Sequence, residues 1–283
     1  MSLNNKFSPK GSGEHPPLIS VVMPVYCHTA DHRRYLIEAL HSVASQTFRD
    51  FEVVIVDDLS PIEVEPVVEA MAMPSQVKIL RNPAKIGHAE SRNRGVETAR
   101  GEFIAFLDHD DVWLPEKLER QLAVLQANHD AAMVFCDMEV FGPNRHRLCM
   151  NQSIIPERPS FYWFASHGNY VISASSVLVR KQLLLDIGLF DNRYSTSDDF
   201  DAWLKILCRA PILHLPKKLA KYRLHYYNVN YSVDFLNDTR LLTMLICRYW
   251  QTARPREKFE LLPLIGRKLA RMMYFILRRY RKP

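Results

Sequence analysis

Gly101-Glu102-Phe103-Ile104-Ala105-Phe106-Leu107-Asp108-His109-Asp110-Asp111 is the stretch that decides the fold. Five apolar residues, bounded by Gly101 on one side and acids on the other, read as a short strand buried on both faces. The acids then stand at the strand's carboxyl end, where open α/β sheets bind their ligands. Carboxylates this close repel one another unless a cation or hydrogen-bond donors compensate.

Upstream, residues 18–24 form a similar apolar run stopped by Pro24, and 51–56 and 77–80 read as further strands. Helical periodicity fills the gaps at 35–45, 62–71 and 88–99. Downstream, Pro115 opens a helix through 125, and 132–141 is a fifth strand. Strand–helix alternation of this kind predicts an α/β fold, with a Rossmann-like, mostly parallel central sheet flanked by helices. Beyond 141 the pattern loosens. Residues 142–168 carry Pro143, Pro156 and Pro159 and read as a long loop. Strands are expected at 171–179, 212–215 and 219–224, and helices at 181–186, 198–208, 235–252 and 257–280.

A second acidic pair, Asp57-Asp58, closes the strand at 51–56, so two carboxylate clusters share one sheet edge. Asp108-x-Asp110 suits Mg²⁺ or Mn²⁺, which take one or two carboxylates plus phosphate oxygens and water. Neither GxGxxG nor GxxxxGK[ST] occurs, so a nucleotide would be held through a metal rather than by a glycine-rich cradle. The blander reading of each acid is a helix or turn cap, and Asp111 divides evenly between the two.

The 283 residues are 47% hydrophobic and 24% charged, which excludes a disordered chain. The net charge of +6 sits at the end. Seven Lys and Arg and no acid follow residue 263, leaving 30 basic against 31 acidic side chains before it. A nucleic-acid-binding core is disfavoured by that near-neutral body, and no nucleic-acid partner is expected. Five scattered cysteines without a CxxC pair read as reduced thiols. Residues 1–17 are polar, lack the apolar core of a signal peptide and read as a flexible arm. No apolar run reaches 18 residues. A cytoplasmic location is expected from these features.

The quoted strand and its acids, with Val21-Val22-Met23-Pro24-Val25-Tyr26, Asp50-Phe51-Glu52-Val53-Val54-Ile55-Val56-Asp57-Asp58, Ala89-Glu90-Ser91-Arg92-Asn93-Arg94-Gly95 and Asp198-Asp199-Phe200-Asp201-Ala202-Trp203-Leu204, resemble glycosyltransferase family 2. Its members are inverting, nucleotide-sugar-dependent enzymes of GT-A fold. The resemblance runs from Ile19 to about Ser232. It implies one GT-A domain over 18–232, with a nucleotide-binding half (18–141) and an acceptor half (142–232), and a C-terminal helical extension over 233–283.

The resemblance also assigns roles. Asp58 would bind the uracil of a UDP-sugar, with Pro24 and Val25 lining the same pocket and Arg92 a further nucleotide contact. Asp108 would reach the ribose or a metal-bound water, and Asp110 would ligate Mn²⁺ or Mg²⁺. His225 would complete the metal shell or touch the diphosphate, the alternative being a histidine that merely packs or hydrogen-bonds. Asp199 matches the catalytic base. Asp198, Trp203 and Arg223 are candidates for acceptor or diphosphate contact, the alternatives being a helix start, a core residue and a structural cation. Three departures stand out. Leu59 replaces a small residue in a turn, Cys27 replaces a common Asn, and Asp198 replaces a usual Glu.

The implied activity is transfer of a sugar from a nucleotide-sugar donor to a saccharide or lipid-linked saccharide, as in polysaccharide or cell-envelope synthesis. Two rivals are a catalytically inactive sugar-nucleotide-binding scaffold and a sugar-nucleotide pyrophosphorylase, whose glycine-rich N-terminal loop is missing here. Residues 261–283 place apolar side chains on one face and Arg267, Arg271 and Arg278 on another. That suits either peripheral contact with an anionic membrane or a helix packed on the domain with a solvated basic face. Donor sugar, linkage and oligomeric state are not legible.

Overall fold

The computed structural model describes residues 15–225 except 72, 74, 148–151 and 195–196, and beyond 225 only 258, 259, 262, 263 and 266. The first fourteen residues of the expected arm and nearly all of the two C-terminal helices, including the basic face, lie outside the described residues.

The chain lays down β1 (Ile19–Val25), α1 (Ala30–Ala44), β2 (Phe51–Asp57), α2 (Glu65–Glu69), β3 (Gln76–Arg81), α3 (His88–Thr98) and β4 (Phe103–Phe106). The second half holds β5 (Val112–Trp113), α4 (Lys117–Ala127), β6 (Met133–Phe141), α5 (Phe161–His167), β7 (Val177–Arg180), α6 (Lys181–Asp186), α7 (Asp198–Leu207) and β8 (Ile212–Arg223). One eight-stranded sheet runs β3-β2-β1-β4-β7-β6-β8-β5. The first four strands in that order are mutually parallel; β7 then enters antiparallel to both β4 and β6. β6 pairs parallel with β8, and the short β5 closes the edge antiparallel to β8.

Strand alternation divides the core into two layers. Val22, Ile104 and Phe106 point to the layer shared with α3, α5, α6 and α7, whereas Val21, Met23, Phe103, Ala105 and Leu107 point to the layer shared with α1, α2 and α4. Every residue of β1, β2 and β4 is buried, as a strand covered on both sides requires. α3 lies close on β1: a Cβ on Gly95 would come within 2.4 Å of Val22 Cγ1.

Three expectations need correction. Ile212–Arg223 form one strand, not two. β8 pairs across a register shift opposite Cys136–Met138, and the bulge accommodates Pro216, which has no N–H for the ladder. The stretch 142–168 contains α5, capped by Ser160 Oγ accepting from Trp163 N at 3.1 Å. Aromatic residues are indifferent helix formers, so this short helix depends on burying Phe161, Phe164 and Ala165 in the core. The strand expected at 171–179 begins only at Val177. Ser173 Oγ accepts from Ser175 N and turns the preceding backbone into a 3₁₀ turn over Ala174–Ser176.

Candidate active site

A cavity of about 370 Å³ opens at the carboxyl ends of β1, β2 and β4. Its walls bring together Pro24, Val25, Asp58, Arg92, Asp108, Asp110, Asp198, Asp199 and His225 from segments up to 200 residues apart. Nine of the eleven expected site residues thus line one space. The exceptions are Trp203 and Arg223.

At one end, β2 runs into the turn Asp57–Ser60. Leu59 adopts φ 59°, the left-handed conformation that favours glycine, and its side chain stays substantially exposed. Ser60 N donates to Asp57 Oδ1 at 2.9 Å and Ser60 Oγ accepts from Cys27 N at 2.8 Å, tying the turn to the end of β1. Arg81 pairs with Asp57 and donates to Ser60 O at 3.0 Å. This frame leaves Asp58 facing the cavity. Its Oδ1 accepts from Asn82 Nδ2 (2.9 Å) and Ile86 N (2.8 Å), and its Oδ2 from Gly87 N (2.9 Å). Cys27 is buried, and burial pushes its thiol up to about 12, so it takes no part as a thiolate.

Midway, the acids after β4 are held from several sides. Asp108 N donates to Ser175 Oγ at 3.0 Å, and Arg92 Nη2 donates to Asp108 Oδ1 at 2.7 Å. Asp110 Oδ2 lies 2.9 Å from His225 Nε2. Burial alone would raise the Asp110 pKa, but the His225 contact and nearby His109 hold it below the usual carboxylate range. Asp111 points away, fully buried. It accepts from Ser173 Oγ and Arg223 N, both at 3.0 Å, and burial with Asp110 and Asp108 pushes its pKa well up. Its role is structural.

Asp198 and Asp199 open α7. Asp198 is buried between His88 Nε2 (3.0 Å) and Arg92 Nη1 (3.2 Å), and these donors outweigh burial to hold its pKa below the ordinary range. Asp198, a shorter carboxylate than the Glu that the resemblance leads one to expect, still finds a cation in Arg92. Burial also opposes the charge on Arg92, yet Asp108 and Asp198 push its pKa up. Asp199 stands differently. Burial, then repulsion from Asp198, raises its pKa to about 7 despite the pull of Arg92. Phe200 N donates to its Oδ1 at 2.7 Å, and Asn169 Nδ2 to its Oδ2 at 3.3 Å. A carboxyl that titrates near neutrality beside a cavity can accept a proton there.

Two expected roles are corrected. Trp203 is wholly buried, its ring edge-on to Phe190 at 5.9 Å, and offers no surface to a sugar. Arg223 is committed elsewhere. It pairs with Glu38, donates to Asp110 O at 2.7 Å and lies over the rings of Tyr35 and Phe141. It braces the acidic loop from behind rather than reaching a diphosphate.

Sequence reasoning missed the histidines. His28, His32 and His109 line the cavity with His225, and His32 has its ring centroid 4.2 Å from that of His28 and 5.4 Å from that of His109. Burial and mutual repulsion lower the His32 pKa to about 4, so the ring is neutral at pH 7. Only the position of His109 inside the acidic run signalled its place. His28 and His32 fall between the first expected strand and the helix expected at 35–45, where no periodicity or motif marks them. Tyr26, the last residue of a motif quoted above, also lines the cavity, as do Lys85 and Tyr222.

Among the described residues, no group of three or more His, Cys, Asp or Glu side chains is arranged to hold a metal ion. Asp110 and His225 still present an oxygen and a nitrogen donor together at the cavity wall. Two protein ligands suit Mn²⁺ or Mg²⁺ whose remaining positions come from phosphate and water. Among the described residues, no helix is long and apolar enough to cross a membrane.

The description "Glycosyl transferase family 2" belongs to the family model that matches residues 20–184. An uncharacterised glycosyltransferase of Methanocaldococcus jannaschii is 30% identical over 198 residues, covering 68% of this chain and 65% of that protein. The chain thus spans just under two thirds of that relative. One from Haemophilus influenzae is 27% identical over 246 residues, covering 86% and 81%. Among solved structures, Staphylococcus aureus TarS residues 1–349 in complex with UDP-GlcNAc superposes with a TM-score of 0.71 at 24% identity, over 91% of this chain and 73% of that one. The mannosyltransferase PcManGT of Pyrobaculum calidifontis, in complex with GDP-Man and Mn²⁺, gives 0.64 at 18%, over 89% and 69%. The fold is that of the GT-A glycosyltransferases. With more than half of its length matching the family model and its acids gathered at the sheet edge where a donor nucleotide would lie, this chain belongs to glycosyltransferase family 2.

Proposed function

We propose that this chain moves a sugar from a nucleoside-diphosphate sugar, a UDP-sugar first, to a hydroxyl of a saccharide or lipid-linked saccharide by a single inverting displacement. The observation that carries the reading is the one cavity in which Asp58, Asp108, Asp110, His225 and Asp199 face a common space. Asp58, fixed by three N–H donors at the far end, accepts a ring N–H of the base, with Pro24 and Val25 as walls. Asp108, oriented by Arg92, reaches the ribose. Arg92 itself serves the nucleotide through Asp108 and Asp198 rather than by direct contact.

Asp110 and His225 would hold Mn²⁺ or Mg²⁺. The ion would neutralise charge on the departing diphosphate. Asp199 takes the proton of the acceptor hydroxyl as its oxygen attacks the anomeric carbon, and the nucleoside diphosphate leaves from the opposite face. A pKa of about 7 leaves Asp199 roughly half ionised at neutral pH while keeping it basic enough to accept that proton. UDP and UDP-GlcNAc in TarS, and GDP-Man with Mn²⁺ in PcManGT, support a nucleotide-sugar donor of either base. The basic tail is proposed to dock the enzyme on an anionic membrane, which would bring a lipid-linked acceptor within reach.

A thermal-shift screen of UDP, GDP, dTDP and their sugars tests the donor reading. The expected result is a rise in melting temperature for one nucleotide series that depends on Mn²⁺ or Mg²⁺ and is lost in Asp110→Ala. No shift with any nucleotide would refute it.

A further inference from the structure

Asn169 stands where α5 turns back towards the cavity. Gly168 closes the helix with φ 98°, its N–H donating to Phe164 O at 2.8 Å, and the next residue emerges beside α7. The Asn169 amide is held at both ends. Its Oδ1 accepts from Val171 N at 3.1 Å, and its Nδ2 donates to Asp199 Oδ2 at 3.3 Å. The first contact fixes the second. Val171 N–H needs an acceptor, so the oxygen faces the backbone and the NH₂ must face the carboxylate. The other Asp199 oxygen takes Phe200 N, so the two contacts together restrict how the carboxyl can rotate.

We propose that Asn169 is a positioning residue for Asp199, its tethered amide holding the carboxylate towards the cavity and donating to the oxygen that Phe200 N leaves open. This rests on the reading of Asp199 as the general base. A donor on a carboxylate favours the ionised form, so the amide works against the burial and the Asp198 charge that favour the protonated one. The other charged or titratable groups that act on Asp199 are Arg92, His88 and Tyr222.

The test is a ¹³C-carboxyl NMR titration of aspartate-labelled full-length protein, with Asp199→Asn identifying the resonance by its loss. Asn169→Ala should raise the Asp199 midpoint by about one pH unit, the scale expected when a hydrogen bond to a charged form is lost. Asn169→Asp keeps the shape and the acceptor for Val171 N–H but not the donor, and serves if the alanine variant fails to fold. It should raise the midpoint further. A midpoint that stays within roughly 0.2 unit in the folded variant would overturn the proposal. Turnover is a separate readout. If Asp199→Asn keeps its activity, the general-base reading fails; if Asp199→Asn is inactive but the titration does not move, only the role of Asn169 fails.

Discussion

Replacing Arg92 by Met removes the guanidinium that bridges Asp108 and Asp198 at the centre of the site. Arg92 is 6% exposed and Asp198 2%, and the guanidinium donates to Asp198 Oδ2 at 3.2 Å and Asp108 Oδ1 at 2.7 Å. Methionine fills a similar volume, so the loss is electrostatic rather than a cavity. Removing one partner of a buried ion pair costs about 3–5 kcal/mol, because the other charge stays buried and unpaired. His88 remains on Asp198, which argues for the lower end, about 3 kcal/mol at pH 7.5.

The sign of the pH dependence follows from the same geometry. In the wild type the Asp198 pKa is depressed. Its contribution is therefore present above its unfolded value of about 4 and is lost as pH falls through the lower folded value. In Arg92→Met, burial is no longer opposed by the guanidinium, the folded pKa moves up, and stability increases as pH falls below it. The deficit against wild type should therefore shrink between pH 7.5 and pH 5, by about 1.4 kcal/mol for each unit by which the variant's folded pKa lies above 5. Urea unfolding at the two pH values measures it. A deficit below about 1 kcal/mol at pH 7.5, or one that does not change with pH, would refute the claim that Arg92 compensates buried negative charge.

Leu59→Gly should stabilise the protein by roughly 0.5–1 kcal/mol, because a left-handed leucine costs more than the chain entropy of a glycine; unfolding midpoints check this. Turnover should rise with pH through about 7, falling tenfold per unit below it, because Asp199 must be ionised to accept a proton. A profile flat from pH 5.5 to 8 would contradict that. Gly95→Ala should destabilise by about 1–3 kcal/mol in the same unfolding assay, since its Cβ would overlap Val22 Cγ1 and force α3 away from β1.

The parts of the fold legible from sequence are those whose pattern is set by burial. β1, β2 and β4 are continuous apolar runs because both faces of the sheet are covered, and the acids after β2 and β4 mark the edge where the cavity opens. α5 was not legible because its stability comes from Phe161 and Phe164 reaching a core assembled from distant strands. Pro216 falls in the gap between the strands expected at 212–215 and 219–224, and only pairing with β6 makes them one bulged strand. In the site, the identities of Asp58, Asp110 and Asp199 pointed to chemistry, but commitment did not. Trp203 and Arg223 have the same apparent credentials in the sequence as pocket residues, and three-dimensional partners remove them from it. Asn169 carried no signal at all, since an asparagine in a loop after Gly168 has its ordinary reading as a turn residue.

The most direct test of the central claim is the turnover of Asp199→Asn with the donor identified by the nucleotide screen. The account predicts a loss of at least about a thousandfold in kcat, in the range that general-base removal produces, with donor affinity unchanged within about threefold. Turnover equal to wild type with intact donor binding would contradict it.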